Sequence, residues 1–332
     1  MLSKHDFIRP RQSVGRFYWN RLTLPTPFPV GPVNAYLLPA EPLTLIDTGP
    51  DTQEARDSLA SALAGMGLRP QDIARVVITH GHSDHAGLAA WFRENKAEVF
   101  IHPLEAEKLS GLDFWPARRE YLRQLGVPDE LLEAAHSLAR RTASFRGGCL
   151  TDFRPLQEGD TLEFNGFSLA VLAVPGHTGG HLAFYQEENG VLLCGDTLLN
   201  KISPNPLAEV HPDRPGERSG SLSQFLSTMD RLKELEPELV LPGHGEALRE
   251  AGQRVAEITD HHRQRLQQIR GMVQARGPCS PFELASQLYG RLSGWDVLLA
   301  VSEVSAHLDW LAARGDLEET ADYTGRLTYQ IL

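Results

Sequence analysis

A chain of 332 residues with 41% hydrophobic and 23% charged content suits one large folded domain plus a small one, and it excludes a disordered or fibrous protein. A net charge of −11 gives no electrostatic basis for binding nucleic acid or an anionic membrane. The three cysteines, Cys149, Cys194 and Cys279, share no short motif, and neither an apolar leader in MLSKHDFIRP nor an 18-residue apolar run is present, so a reducing, cytoplasmic location is expected.

In chain order, residues 34–39 (NAYLLP) and 43–47 (LTLID) read as neighbouring strands joined by a turn at Glu41 and Pro42. Residues 52–66 place Ala55, Leu59, Ala62, Leu63 and Met66 on one helical face. Strand 74–79, a short helix over 87–95 and strand 98–102 continue an α/β alternation, which predicts a sheet flanked by helices. Residues 104–150 break the rhythm: they look helical but polar, with seven basic side chains against seven acidic ones. They read either as a lid over a site or as a solvated helical excursion. Four short strands follow before residue 197. Two successive α/β halves of this kind predict a layered αββα sandwich.

The expected boundary falls at residue 251, with a first domain over 1–251 and a second over 252–332. Val255, Ile258, Leu266, Ile269 and Val273 share one face of a long helix, and His262 lies in the gap on that face. Helices around 281–290 and 297–314 come next, the second closed by Gly315, then a hairpin around Tyr323-Thr324-Gly325. Helix, helix, helix, hairpin is the order of a winged-helix unit.

The chemistry concentrates in His80-Gly81-His82-Ser83-Asp84-His85, directly after a β-branched strand. Alternation lets His80 and His82 reach one side of a tight turn, while Asp84 and His85 turn toward a second point. Two nearby metal ions would use the whole set; one ion would use only part of it. Three more ligand-type residues share one context, an apolar strand with glycine immediately before the ligand. They are His177 in AVPGHTGGH, Asp196 in VLLCGD and His244 in LVLPGHGE.

The HxHxDH motif, with LIDTG upstream and PGHTGGH, CGD and PGHG downstream, resembles the metallo-β-lactamase superfamily over roughly residues 30–250. That resemblance implies that His80, His82 and His177 hold one metal and Asp84, His85 and His244 the other, with Asp196 bridging. Aspartate rather than cysteine in the bridging region looks like the glyoxalase II, lactonase and nuclease branches more than the antibiotic-hydrolysing enzymes. By the same resemblance Asp47 supports the HxHxDH loop without ligating. ITDHHRQRLQQI, together with the winged-helix-like unit after it, resembles the C-terminal extension of the lactamase-β-like hydrolases, a group that includes a mitochondrial endoribonuclease.

Other candidates have plainer readings. His181 lies outside the family's ligand pattern, His102 reads as a strand-end residue, and His261 and His262 belong at the domain junction. Cys194 reads as a small buried hydrophobe. Asn205 and His211, in the proline-rich segment 203–220, could face a substrate. No GxSxG elbow or catalytic-cysteine signature is present, so no protein nucleophile is expected. The expected chemistry is hydrolysis by a metal-bridging hydroxide, with Asp84 orienting it or passing a proton to the leaving group. Mixed imidazole and carboxylate ligands suit two divalent ions, zinc first, with manganese or iron as alternatives.

This reading admits three functions. One is hydrolysis of a small thioester, ester or lactone. Another is metal-dependent phosphodiester cleavage of single-stranded RNA, for which Arg118, Arg119, Arg140, Arg141 and Arg146 would supply the cations. The last is a non-enzymatic ligand sensor. From residue 253 onward eight arginines and no lysine face ten acidic residues, which opposes a groove-reading module and favours packing or homodimerisation. The expected partner is therefore a small molecule rather than nucleic acid or membrane.

Overall fold

Strands β1 (Gln12–Val14), β2 (Phe17–Leu24), β3 (Val33–Leu38), β4 (Thr44–Ile46), β5 (Arg75–Val77), β6 (Glu98–Ile101) and β7 (Arg154–Pro155) form one sheet in that spatial order. This is a computed structural model, and it describes residues 12–15, 17–207, 209–211, 213, 218 and 220–332. The opening ten residues, on which the location was argued, lie outside the described set, as does part of segment 203–220. Pairing is antiparallel from β1 to β4 and parallel from β4 to β7. A second sheet has the order β12-β11-β10-β9-β8, built from β8 (Thr161–Phe164), β9 (Phe167–Ala173), β10 (Leu182–Gln186), β11 (Val191–Gly195) and β12 (Leu239–Pro242).

Successive side chains of a strand point to opposite faces, which explains why the central strands read as continuous apolar runs. Leu45 and Val76 face helices α1 (Gln53–Ala64) and, after the single turn α2 (Ser83–Ala86), α3 (Ala89–Glu94), packing with Leu59, Leu63 and Phe92. Their neighbours Ile46 and Val77 face the other way, into the layer between the sheets with Val171, Phe184, Leu193 and Leu241. On the far side of the second sheet, Leu192 and Val240 pack on Phe225 and Met229. The expected αββα layering is thus present.

The insertion carries α4 (Pro103–Glu107), α5 (Trp115–Gln124) and α6 (Asp129–Ala143); α7 (Ser221–Leu235) supplies Phe225 and Met229. The C-terminal region consists of α8 (Ala251–Arg276), α9 (Pro281–Tyr289), α10 (Trp295–Ala313) and the hairpin β13 (Leu317–Ala321)–β14 (Leu327–Ile331). The insertion is not a solvated excursion. Tyr121, Leu122, Leu125 and Leu132 enter one core with Ile269, Val273, Val301 and Leu308 of the C-terminal helices, and Tyr121 Oη lies 2.9 Å from Ser305 Oγ. The segment reads as polar because a surface helix buries only one stripe, and the opposite face carries the charges. Among the described residues, no helix is long and apolar enough to cross a membrane.

Candidate metal centre

The ends of parallel strands set the site. Ile46 pairs with Val77, so Asp47 and the Ile78-Thr79-His80 run leave the first sheet side by side. Gly195 lies opposite Pro242, so Asp196 and His244 leave the second sheet together. His177 arrives from the loop between β9 and β10. His82 is extended (φ −68, ψ 146) and caps the single turn α2, which swings Asp84 and His85 away from the His80–His82 side.

The recurring glycine before each ligand has a steric cause. A Cβ on Gly243 would lie 2.4 Å from Asp196 Oδ1 and 2.6 Å from His85 Cε1. Gly176 has φ +136, and a Cβ there would lie 2.4 Å from Phe225 Cα.

All seven predicted residues are brought together. Three groups have ligand atoms within 4.8 Å of one another: His80, His82 and His177; His80, His85 and Asp196; and Asp84, His85 and His244. His85 Nε2 lies 3.4 Å from Asp196 Oδ1, and His244 Nε2 lies 3.5 Å from Asp196 Oδ2 and 3.4 Å from Asp84 Oδ2. His177 Nε2 reaches to 3.9 Å from Asp196 Oδ2. Asp196 therefore stands between the two outer groups.

The outward nitrogens fix the tautomers, because a carbonyl or carboxylate can only accept. His177 Nδ1 donates to the Asn205 carbonyl (3.0 Å), His244 Nδ1 to the Pro32 carbonyl (2.8 Å) and His85 Nδ1 to Asp47 Oδ2 (2.8 Å). Thr79 Oγ1 donates to Asp47 Oδ2 (2.8 Å) and so accepts from His80 Nδ1 (3.1 Å). In the neutral rings each Nε2 then carries a lone pair directed inward. His82 Nδ1 lies 2.9 Å from His80 Nε2 and 3.1 Å from His177 Nε2. One shared proton satisfies at most one of those contacts; a cation at their centre satisfies all three. His85 Nε2, His244 Nε2 and Asp196 Oδ1 are buried without a hydrogen-bond partner among the described residues. Orphaned lone pairs and a buried carboxylate fit divalent metal ions.

The charges divide the same way. Burial, then repulsion from the neighbouring imidazoles, holds His80 and His82 well below the usual histidine range. Burial also pulls on His85 and His244, but Asp196 with Asp47 or Asp84 outweighs it and holds both above that range. Burial opposes the charge of Asp196, yet His85 and His244 keep its carboxyl well below the usual value. The acidic half of the site calls for positive charge; the imidazole half offers lone pairs.

The supporting residues were partly foreseen. Asp47 accepts from Thr79 N as well as Thr79 Oγ1 and His85, which braces the start of the HxHxDH turn. His102 caps α4, accepting from Leu104 N (3.2 Å). Glu105 was missed. Its fully buried carboxylate accepts from Gly81 N (2.7 Å), Gly180 N (2.8 Å) and Lys108 Nζ (2.8 Å), tying the two histidine-bearing loops together. Burial would raise its pKa, but Lys108 and the two amides outweigh it and hold the carboxyl at about 2. His181 does not join a ligand group: its neutral ring stacks on His80 at 4.4 Å, with burial pushing its pKa to about 3. Cys194 is buried, and burial raises its thiol to about 12.

The ligand edge opens into a cavity of about 1200 Å³, with His82, Asp84, His177 and Asp196 on one side and α5, α6 and α10 on the others. Asn205 and His211 line it, and Asn205 acts on the site through its carbonyl.

A family model described as the metallo-beta-lactamase superfamily matches residues 28–244. The chain is 34% identical to "Probable metallo-hydrolase YqjP" of Bacillus subtilis over 93% of its own length and 96% of that protein. It is 26% identical to a hydroxyacylglutathione hydrolase of Erythrobacter litoralis over 58% of its own length and 54% of that protein. The crystal structure of a metallo-beta-lactamase family protein from Thermus thermophilus superposes with a TM-score of 0.79 at 33% identity, covering 95% of this chain and 98% of that one.

Proposed function

The chain belongs to the metallo-β-lactamase superfamily and is a metal-dependent hydrolase, and we propose that it is a binuclear one acting on a small thioester, ester or lactone. The observation that carries this reading is the convergence of tautomer-fixed imidazole nitrogens and two carboxylates into two adjacent groups that meet at Asp196. In this reading His80, His82 and His177 hold one ion, Asp84, His85 and His244 the other, and Asp196 bridges. Two divalent ions, zinc first with manganese or iron as alternatives, would supply Lewis acidity and a water acidified toward neutral pH.

The chain's own residues do the rest. Asp47 and the Pro32 and Asn205 carbonyls accept from the outward Nδ1 of His85, His244 and His177 and so aim each Nε2 inward. Asp84 lines the cavity, where its carboxylate orients the attacking water or passes a proton to the leaving group. The apolar walls from α5 and α10 limit bulk water around the substrate. Support for a carbonyl substrate comes from the hydroxyacylglutathione hydrolase likeness. It also comes from the use of the acidic C-terminal region as a cavity wall rather than as an open basic groove.

The test is a hydrolysis panel on metal-reconstituted protein, holding a glutathione thioester, an acyl lactone, a phosphodiester chromophore and single-stranded RNA. Turnover of the thioester or lactone that disappears in the His82→Ala, Asp84→Ala variant is the expected result. Cleavage of RNA alone would replace this reading with the phosphodiesterase one. An Asp84→Asn variant with full turnover would remove Asp84 from the chemistry.

A further inference from the structure

The cavity that the ligand edge opens into also carries two guanidinium groups that no carboxylate among the described residues holds in an ion pair. Arg118 on α5 and Arg146, just after α6, both line the cavity. Among the described residues neither has an ion-pair partner, and Arg118 makes no side-chain hydrogen bond; Arg146 reaches only the Lys108 carbonyl at 3.4 Å. Among the other basic side chains that line the cavity, Arg140 is exposed, while Lys108 and Arg218 are committed. Lys108 is held by Glu105 and Glu209, and Arg119 lies 3.5 Å from Asp129.

The two arginines lie within each other's field. Burial pulls the Arg146 pKa down and the charge of Arg118 adds to that, with Asp113 opposing; Arg118, exposed within the cavity, feels the charge of Glu209. Glu209 is engaged by Lys108 and by the Gly179 amide (2.8 Å). Asp113 accepts from Trp115 N (2.9 Å). Two like charges that act on one another without an ion-pair partner are unfavourable in the free protein, and an oxyanion bound by both would remove the repulsion. The same cavity has apolar and aromatic lining as well, with Phe114, Leu298 and Leu299 among it. A volume of about 1200 Å³ exceeds what a small acyl group alone would fill.

We propose that Arg118 and Arg146 form an anion-binding subsite for the leaving part of the substrate, so that the preferred substrates are acyl thioesters of a thiol carrier bearing phosphate or carboxylate groups. The inference rests on the hydrolase reading above. In the reaction, the oxygen of water bonds to the acyl carbon, the carbon–sulfur bond breaks, and the departing thiolate takes a proton. The carrier's oxyanion stays at the arginines while its sulfur lies at the ligand edge. An anionic carrier would also account for arginines without ion-pair partners in the active cavity of an acidic protein.

The test uses the metal-loaded full chain and three non-hydrolysable thioethers: S-methyl-coenzyme A, S-methylglutathione and neutral S-methyl-N-acetylcysteamine. Calorimetric titration distinguishes a phosphate-bearing carrier from a carboxylate-bearing one. At least one anionic thioether should bind more tightly than the neutral one. The Arg118→Gln, Arg146→Gln variant should lose at least about tenfold of that affinity, the two classes of thioether then converging. In the unaltered protein the same preference should shrink as sodium chloride rises, a readout that does not depend on the variant folding. Equal binding of neutral and anionic thioethers, or an anionic preference untouched by both the substitutions and salt, overturns the subsite. Loss of RNA binding rather than thioether binding in the double variant overturns the carrier assignment. Tight, arginine-dependent thioether binding without hydrolysis of the matching thioesters instead sinks the thioester-hydrolysis reading and leaves the subsite standing.

Discussion

Two buried groups of histidines flank the same loop, and they are built to opposite ends. On one side the Asn205 carbonyl accepts from His177 at the ligand edge. On the other, Ser203 meets His262, which packs against His307 between α8 and α10. His307 Nδ1 donates to the Glu303 carbonyl (2.6 Å), so its Nε2 accepts from His262 Nδ1 (3.1 Å), and His262 Nε2 in turn accepts from Ser203 Oγ (3.2 Å). Every ring nitrogen in that chain is used, and the rings stay neutral: burial pushes His262 to about 3 and His307 to about 4. At the ligand edge the outward Nδ1 atoms of His80, His85, His177 and His244 are satisfied, while His85 Nε2 and His244 Nε2 are orphaned and His80 and His177 meet only His82 Nδ1. Both clusters bury imidazoles, five at the ligand edge and two in the relay; what separates a metal centre from a structural relay is where the lone pairs end.

The largest expected effect falls on the ligand edge alone. Asp196→Asn keeps the shape of the shared residue and removes its charge. Metal content per chain should fall and turnover should drop by at least about a hundredfold. Elemental analysis and turnover of purified protein read both. His262→Ala should leave the metal content intact, and metal loss in that variant would erase the distinction between the clusters.

What His262→Ala should change is stability. It opens a cavity in the interface between α8 and α10 and strands the Nε2 of His307. A loss of about 2–4 kcal/mol is expected in urea unfolding at neutral pH. A loss below about 1 kcal/mol would mean that water or Ser203 replaces the ring without strain.

The two clusters also differ in how much the sequence revealed of them. The ligand edge was legible because strand-end geometry forces a local signature: each ligand follows an apolar run, and Gly176, Gly195 and Gly243 are small where a Cβ would collide. The relay was half legible. His262 stood on the apolar face of α8, but its partner lies 45 positions away, and spacing cannot show which distant ring completes a hydrogen-bond chain. Glu105 was hidden for the same reason, since its partners Gly81 and Gly180 offer only backbone amides, which every residue but proline has. The insertion misled because α5 and α6 expose far more charge than they bury, and their apolar stripe matches a surface formed about 150 residues later. Strands β1 and β2 and helix α7 went unread, although Phe225 and Met229 of α7 show a helical spacing of four. Layer order and the candidate ligand set therefore came from local pattern, and the enclosure of the cavity came from tertiary packing.

The smallest expected effect is a difference in acid sensitivity, and it isolates the relay. His262 and His307 have folded pKa values of about 3 and 4, against 6.5 when unfolded. The unfolded chain thus binds more protons between those limits. The relay's contribution is complete above pH 6.5 and is lost as the pH falls through the window toward 4 and 3. Each neutral buried ring costs about 1.4 kcal/mol per pH unit in that window. Replacing both rings, His262→Leu with His307→Leu, substitutes apolar for polar groups on both sides of the contact and removes the titration. Between pH 6.5 and 5.5 the metal-loaded double variant should lose about 2 kcal/mol less than the unaltered protein, since ligand protonation is common to both and cancels in the comparison. Identical slopes in urea unfolding would show that neither His262 nor His307 is held neutral by the fold, and the hydrogen-bond chain would no longer be the device that sets the relay apart from the ligand edge.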